Sequence, residues 1–99
     1  MKIGDKYIVR KWDDMTKEFG IMHNYFGDRS IDIPIFLFTE EMRKYCGKIV
    51  TVSLIHYDGT FDIVEDYGSH GWSLDMVRPL DGRLIAFYLM ERKHENNCR

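Results

Sequence analysis

The chain has 99 residues, 44% of them hydrophobic and 14% aromatic, with a formal net charge of −2. That length suits one domain and not two, and the near-balanced charge excludes a global pull toward nucleic acid or an acidic membrane. The longest apolar run, LIAFYLM at 84–90, is far short of the ~18 residues that span a bilayer.

Ile3 to Trp12 opens with Gly4-Asp5 and then alternates. Tyr7 and Val9 fall on one side, Lys6, Ile8 and Arg10 on the other, which predicts a strand with one moderately apolar face. Residues 13–30, DDMTKEFGIMHNYFGDRS, hold no sustained period. They read as a long loop that admits a helical turn over Asp14–Phe19 capped by Gly20. Ile31 to Phe38 is β-rich, but Pro34 has no N–H for a ladder, so an edge strand or extended segment is expected.

The stretch FTEEMRKYCGKIVTV (38–52) switches abruptly from a helical turn to a strand. Thr39 is a suitable N-cap, and Glu40 and Glu41 suit the positive end of a helix dipole. Gly47 suits the left-handed position that ends the turn. A turn this short is unstable alone, so Met42 and Tyr45 must pack on something. After Gly47 the period becomes two, and Val50, Val52, Leu54 and His56 form the more apolar, inner set.

Tyr57-Asp58-Gly59-Thr60 is a hairpin signal. Phe61–Asp66 reads as the return strand, with Asp62 and Asp66 on one face and Glu65 on the other. Tyr67 to Gly71 is a glycine-bounded turn. Trp72–Met76 reads as a strand end and a single 3-10-like turn with Ser73 as cap, and Val77–Leu80 as a last strand that Pro79 marks as an edge. RLIAFYLMERK is expected to be a helix capped by Asp81, a buried strand being the alternative over 84–95. Residues 1–81 are thus read as the domain and 82–99 as an extension ending in a polar tail.

Charge is unevenly spread. Residues 1–12 carry Lys2, Lys6, Arg10 and Lys11 against Asp5, a net of +3, and residues 57–81 carry Asp58, Asp62, Glu65, Asp66, Asp75 and Asp81 against Arg78, a net of −5. In an open sheet these segments could pair edge to edge; facing apart, the second forms an acidic patch. Cys46 and Cys98 read as reduced thiols, and MKIGDKYIVRKW has no apolar signal-peptide region. The expectation is a cytoplasmic protein.

Four or five short strands, a long first loop, a tight hairpin and a 3-10-like turn before the last strand suggest a mainly β fold, a small, strongly bent SH3-like barrel. The segments IGDKYIVRKWDDM, FTEEMRKYCGKIVTV and FDIVEDYGSHGWSLDMVRP resemble a family of small SH3-like domains of bacteriophages, prophages and their bacterial hosts. The resemblance covers roughly residues 2–80, and most members have no assigned activity. It implies that the Glu-Met-x-x-Tyr turn closes the barrel and that Trp72 and Met76 plug its core. The chain departs from the short form of the pattern at 20–35 and after 81.

No pair among His23, His56, His70, His94 and the two cysteines has structural zinc spacing, His94 and Cys98 being four apart in the tail. No phosphate loop, G-x-S-x-G or H-E-x-x-H occurs. The expectation is a protein that is not an enzyme and has no cofactor. The groove of an SH3-like barrel lies between its first long loop and the 3-10-like turn. The candidate partner-binding residues there are Trp12, Tyr25, Phe26, Tyr67 and Trp72, with Asp13, Asp14, Asp62, Glu65 and Asp66 as acidic neighbours. With the resemblance this implies a non-catalytic protein-binding module of phage or prophage type. Inhibition of a host defence protein such as a nuclease, in the manner of an anti-CRISPR, is one implied role, the acidic strip occupying a basic nucleic-acid groove. The alternative is a barrel that binds nucleic acid through Lys2, Lys6, Arg10, Lys11, Lys44 and Lys48, which the overall acidity disfavours. An apolar 84–90 face also admits a homodimer.

Overall fold

The structure, a computed structural model, describes residues 1–80. The expected 82–99 extension, its helix or strand and its dimer face lie outside those residues. Two antiparallel sheets build a small mixed domain with more strand than helix.

The alternation seen after Gly4-Asp5 makes β1 (Lys6–Val9). Val9 is buried, and Tyr7, half-buried, stacks on Phe61 with ring centroids 6.1 Å apart. α1 (Trp12–Phe19) follows. Trp12, Met15 and Phe19 recur on one helical face and pack on the core, and burying a side chain the size of Met15 contributes roughly 1.5–3 kcal/mol. Asp13 and Asp14 in the first turn and Lys17 in the last suit the dipole. Gly20 ends the helix at φ +81, its N–H donating to Thr16 O at 2.9 Å.

The region expected to be a long loop is therefore more regular than its sequence suggests. After α1 it forms a hairpin of β2 (Ile21–His23) and β3 (Arg29–Ile31). The hairpin is closed locally: Asn24 Oδ1 accepts the N–H groups of Phe26 and Asp28, each at 2.9 Å, and Gly27 takes φ +87. The expected extended segment over Ile31–Phe38 is broken. Phe36 N–H donates to Pro34 O at 2.9 Å around Ile35, whose φ is +73. This is a γ-turn of the strained kind, and the ladder resumes only at β4 (Phe38–Thr39), which pairs with β3.

A 3-10 turn over Glu40–Tyr45 buries Met42 and half-buries Tyr45, as the sequence requires. Thr39 sits at the N-cap position in extended conformation but makes no side-chain cap, and its Oγ1 is buried without a partner. Gly47 takes φ +75 and donates its N–H to Val9 O at 2.8 Å, tying the turn to β1.

β5 (Ile49–Ile55) and β6 (Phe61–Ile63) form the predicted hairpin around Asp58-Gly59. Val50 and Val52 face inward, but Leu54 is exposed and Ile55 packs on the core. The register shifts between Val52 and Leu54, so an extra residue reverses the alternation. The return strand is also shorter than expected. Val64–Asp66 is a 3-10 turn, and Tyr67 follows at φ +55. Asp62 and Asp66 are therefore not on one strand face.

A 3-10 turn over Leu74–Met76 leads into β7 (Val77–Pro79), which pairs back onto β1. Ser73 occupies the cap position without a side-chain cap bond. The larger sheet runs β6-β5-β1-β7 and the smaller β2-β3-β4. β1 thus lies between β5 and β7, and the acidic β6 does not pair with it. Between the sheets Trp72 contacts Phe38 and Tyr45 edge-on, with centroids 5.9 and 5.7 Å apart. Trp72 and Met76 are both fully buried.

Candidate functional site

The carboxylates and aromatics singled out in the sequence do not share one surface. Trp72 is 0% exposed, and Trp12, also buried, carries the Arg43 guanidinium over its ring at 4.8 Å. Neither tryptophan presents a ring to a partner, because both fill the space between the sheets. Asp66 is buried too. Its Oδ2 accepts the Trp72 indole N–H at 2.9 Å and its Oδ1 the Gly68 N–H at 2.9 Å.

Asp14 is half-exposed on α1 and binds Arg10 Nε at 2.8 Å, while Glu18 takes Arg10 Nη2 at 2.9 Å. Arg10 is itself buried and also donates to Asp75 O at 2.9 Å. The hydrogen bond from Arg10 holds the Asp14 carboxyl below its ordinary range and, in return, raises the guanidinium's pKa. Arg10 is thereby withdrawn from the basic strip. Asp13 is exposed in the first turn of the same helix. Asp62 bonds His56 Nε2 at 3.0 Å.

Glu65 accepts the Thr51 N–H at 2.8 Å and the Thr51 hydroxyl at 2.9 Å, and Lys6 Nζ donates to that hydroxyl at 2.9 Å. The basic and acidic segments meet here through this threonine, and at the other edge of β1 by the pairing of β1 with β7. With Glu65 fixed on β5 and Asp66 on Trp72, Tyr67, the next residue, stands out, 95% exposed. Its left-handed backbone, unusual for a tyrosine, follows from the reversal of the chain after the 3-10 turn.

Tyr67 borders a groove made of two open basins, each of about 540 Å³, that share Glu41, Ser69 and His70 in their walls. One basin runs along Asn24, Asp28, Arg29, Ser30, Thr39 and Glu40, and the other along Lys44, Tyr45, Glu65, Asp66 and Tyr67. Asp28, Glu40, Glu41, Glu65 and Asp66 face Arg29 and Lys44, a net of −3 with His70 neutral. Arg29 is held by Glu40 at 2.7 Å, and Lys44 lies over the Tyr45 ring at 5.3 Å. The Glu41 side chain is 83% exposed, with His70 Nε2 3.8 Å away. The groove is acidic, open and aromatic at one end, which suits a cationic, extended ligand.

Asp28, Glu40, Glu41 and His70 were not singled out for this surface by the sequence. Glu40 and Glu41 read there as dipole-compatible turn residues and Asp28 as part of a long loop. Only the approach of the 66–70 loop to the 3-10 turn brings them together. Tyr25 and Phe26 lie at the tip of the β2–β3 hairpin, edge to face at 5.5 Å and almost fully exposed.

Among the described residues no group of three or more His, Cys, Asp or Glu is placed to hold a metal ion. Burial pushes the Cys46 thiol up to about 11, so it is protonated at neutral pH and a poor nucleophile. No described helix is long and apolar enough to cross a membrane.

No family model, curated protein or solved structure matches the chain.

Proposed function

We propose that the protein is a non-catalytic protein-binding module that takes a basic, extended segment of a partner in the groove around Glu41, His70 and Tyr67. The observation that carries this reading is the net negative lining with a fully exposed tyrosine held at its end. Long-range attraction steers such a segment in, and a lysine or arginine over the Tyr67 ring gains about 0.5–1 kcal/mol at an exposed site. An SH3-like architecture is part of the proposal. The tight hairpin, the 3-10 turn before the last strand and the pairing of β7 with β1 support it. The resemblance to phage and prophage domains makes a bacterial defence protein with a basic nucleic-acid channel the kind of partner we propose.

Site-specific photocrosslinking tests this. A benzophenone side chain is placed at Tyr67 or, as a control, at the exposed Leu54, in nuclease-treated bacterial lysate. A discrete protein adduct from position 67 and none from position 54 is expected. Equal, diffuse labelling from both positions would sink the proposal.

A further inference from the structure

Among the described residues nothing pairs with the outer edge of the smaller sheet, and that edge has an unusual chemistry. Asn24 N–H donates to Asp28 O and Asp32 N–H to Gly20 O, and Met22 stands opposite Ser30 between them. Antiparallel strands alternate bonded and non-bonded pairs, so Met22 spends its backbone groups on β3. The N–H and C=O of Ile21 and His23 therefore point away from the sheet. Edges left to water are commonly guarded by lysine, proline or a bulge. Residues 20–24, GIMHN, contain no charged side chain and no proline. Ile21, Met22 and His23 are all exposed, and Tyr25 and Phe26 continue the strip at 96% and 85% exposure.

We propose that β2 is a self-association edge: two copies of the chain pair antiparallel through β2 about a two-fold axis at Met22. Ile21 then stands opposite the partner subunit's His23 and exchanges both backbone bonds with it, and the symmetric pair does the same. The result is one continuous sheet, ordered β4-β3-β2 and then the same strands reversed in the partner.

A second copy fits this edge for two reasons. The edge offers no charge by which to select a charged segment, and no like charges meet in the self-paired register. Area is the second reason. In this register Tyr25 and Phe26 run past the partner's β2 toward its α1, and their full cover on both protomers sets an upper bound of roughly 600–1,000 Å². With the paired strands, that reaches the floor of about 1,000 Å² for a specific interface. Residues 21–23 do not line the groove of Tyr67, which reaches this hairpin only at Asn24 and along Asp28–Ser30, and the proposal does not depend on the groove reading.

Sedimentation equilibrium of the full chain, from about 1 to 500 μM, tests the proposal. The wild type is expected to show a monomer–dimer equilibrium, and Tyr67→Ala the same one. Met22→Lys places two ammonium groups face to face across the axis and is expected to weaken the dimer at least tenfold. His23→Pro removes an outward N–H without touching the bonds to β3 and is expected to do likewise. Circular dichroism confirms that each variant is folded. Register is read separately in a Cys46→Ala/Cys98→Ser background. There Met22→Cys is expected to cross-link two protomers with copper phenanthroline as oxidant, and Leu54→Cys is not. A monomer at every concentration, or a dimer that Met22→Lys leaves intact, overturns the proposal.

Discussion

Trp72 donates its indole N–H to Asp66 Oδ2 at 2.9 Å, and both side chains are buried. Because Asp66 also accepts the Gly68 N–H, this one carboxylate fixes both the core tryptophan and the turn that exposes Tyr67. Asp66→Ala leaves two donors without their acceptor. A cost of roughly 2–4 kcal/mol in urea unfolding is expected, from the worth of hydrogen bonds to a charged group and the penalty of a buried orphan. An unchanged midpoint would show that the 66–72 turn does not depend on the bond.

Tyr67 is held where glycine or asparagine is at ease. Left-handed backbone costs an L-residue about 1–2 kcal/mol, part of which glycine returns as unfolded-chain entropy. Tyr67→Gly is expected to raise stability by roughly 0.5–1 kcal/mol while weakening partner capture. A variant that is both less stable and fully competent would contradict the role given to the ring.

Gly71 lies against Phe36. A Cβ at Gly71 would stand 2.5 Å from Phe36 Cε2, so the ring must move. Because Phe36 is exposed and its ring can swing outward, Gly71→Ala is expected to cost less than the ~1–3 kcal/mol of core overpacking. Adding Phe36→Ala should recover part of that loss, and additive costs in the double mutant would refute the contact.

The Arg10–Asp14 pair sets a pH dependence. Hydrogen bonding to Arg10 depresses the Asp14 carboxyl from its ordinary value of 3.8. A depressed folded pKa contributes stability that is present above the unfolded value and lost as pH falls through the folded one. Asp14 is half-exposed, so screening keeps the contribution below about 1 kcal/mol. Asp14→Asn is therefore expected to be slightly less stable at pH 7, and its difference from the wild type to shrink as pH falls below 3.8. Equal separation at pH 7 and pH 2.5 in urea titrations would exclude the ion pair as the cause.

Cys46, with its thiol raised to about 11 by burial, should react slowly with DTNB at pH 8 in a Cys98→Ser chain. Urea should restore the rate of a free thiol, whose pKa is near 8.5. Fast labelling of the folded protein would show the thiol to be accessible.

The elements set by local chemistry were legible in the sequence. Asp58-Gly59, Gly47 and the Ser73–Met76 turn announce themselves through the few residues that their backbone tolerates. Met42, Val50, Phe61 and Met76 are core because their apolar spacing leaves no other face for them. What stayed hidden depends on single inserted residues or on distant contacts. The bulge beside Ser53 turns Leu54 outward with no signal in the alternation, and Asn24 closes a hairpin in what reads as a loop. Asp66 reads as an exposed strand carboxylate because nothing local reveals that Trp72, six residues on, takes it into the core. Among the proposed contact residues, Tyr67 stays outside for the same reason that Asp66 goes in. The acidic groove needs Asp28, Glu41 and Glu65 from three separate segments, which spacing along a chain does not encode.

The proposed protein-binding groove rests on Glu41 and Tyr67. Its most direct measurement is an affinity pull-down from nuclease-treated bacterial lysate, read by mass spectrometry, with the wild type beside a Glu40→Gln/Glu41→Gln/Tyr67→Ala variant shown to be folded. One protein is expected to be retained by the wild type after nuclease and lost from the variant. Partners that vanish with nuclease, or that the variant retains equally, would contradict it.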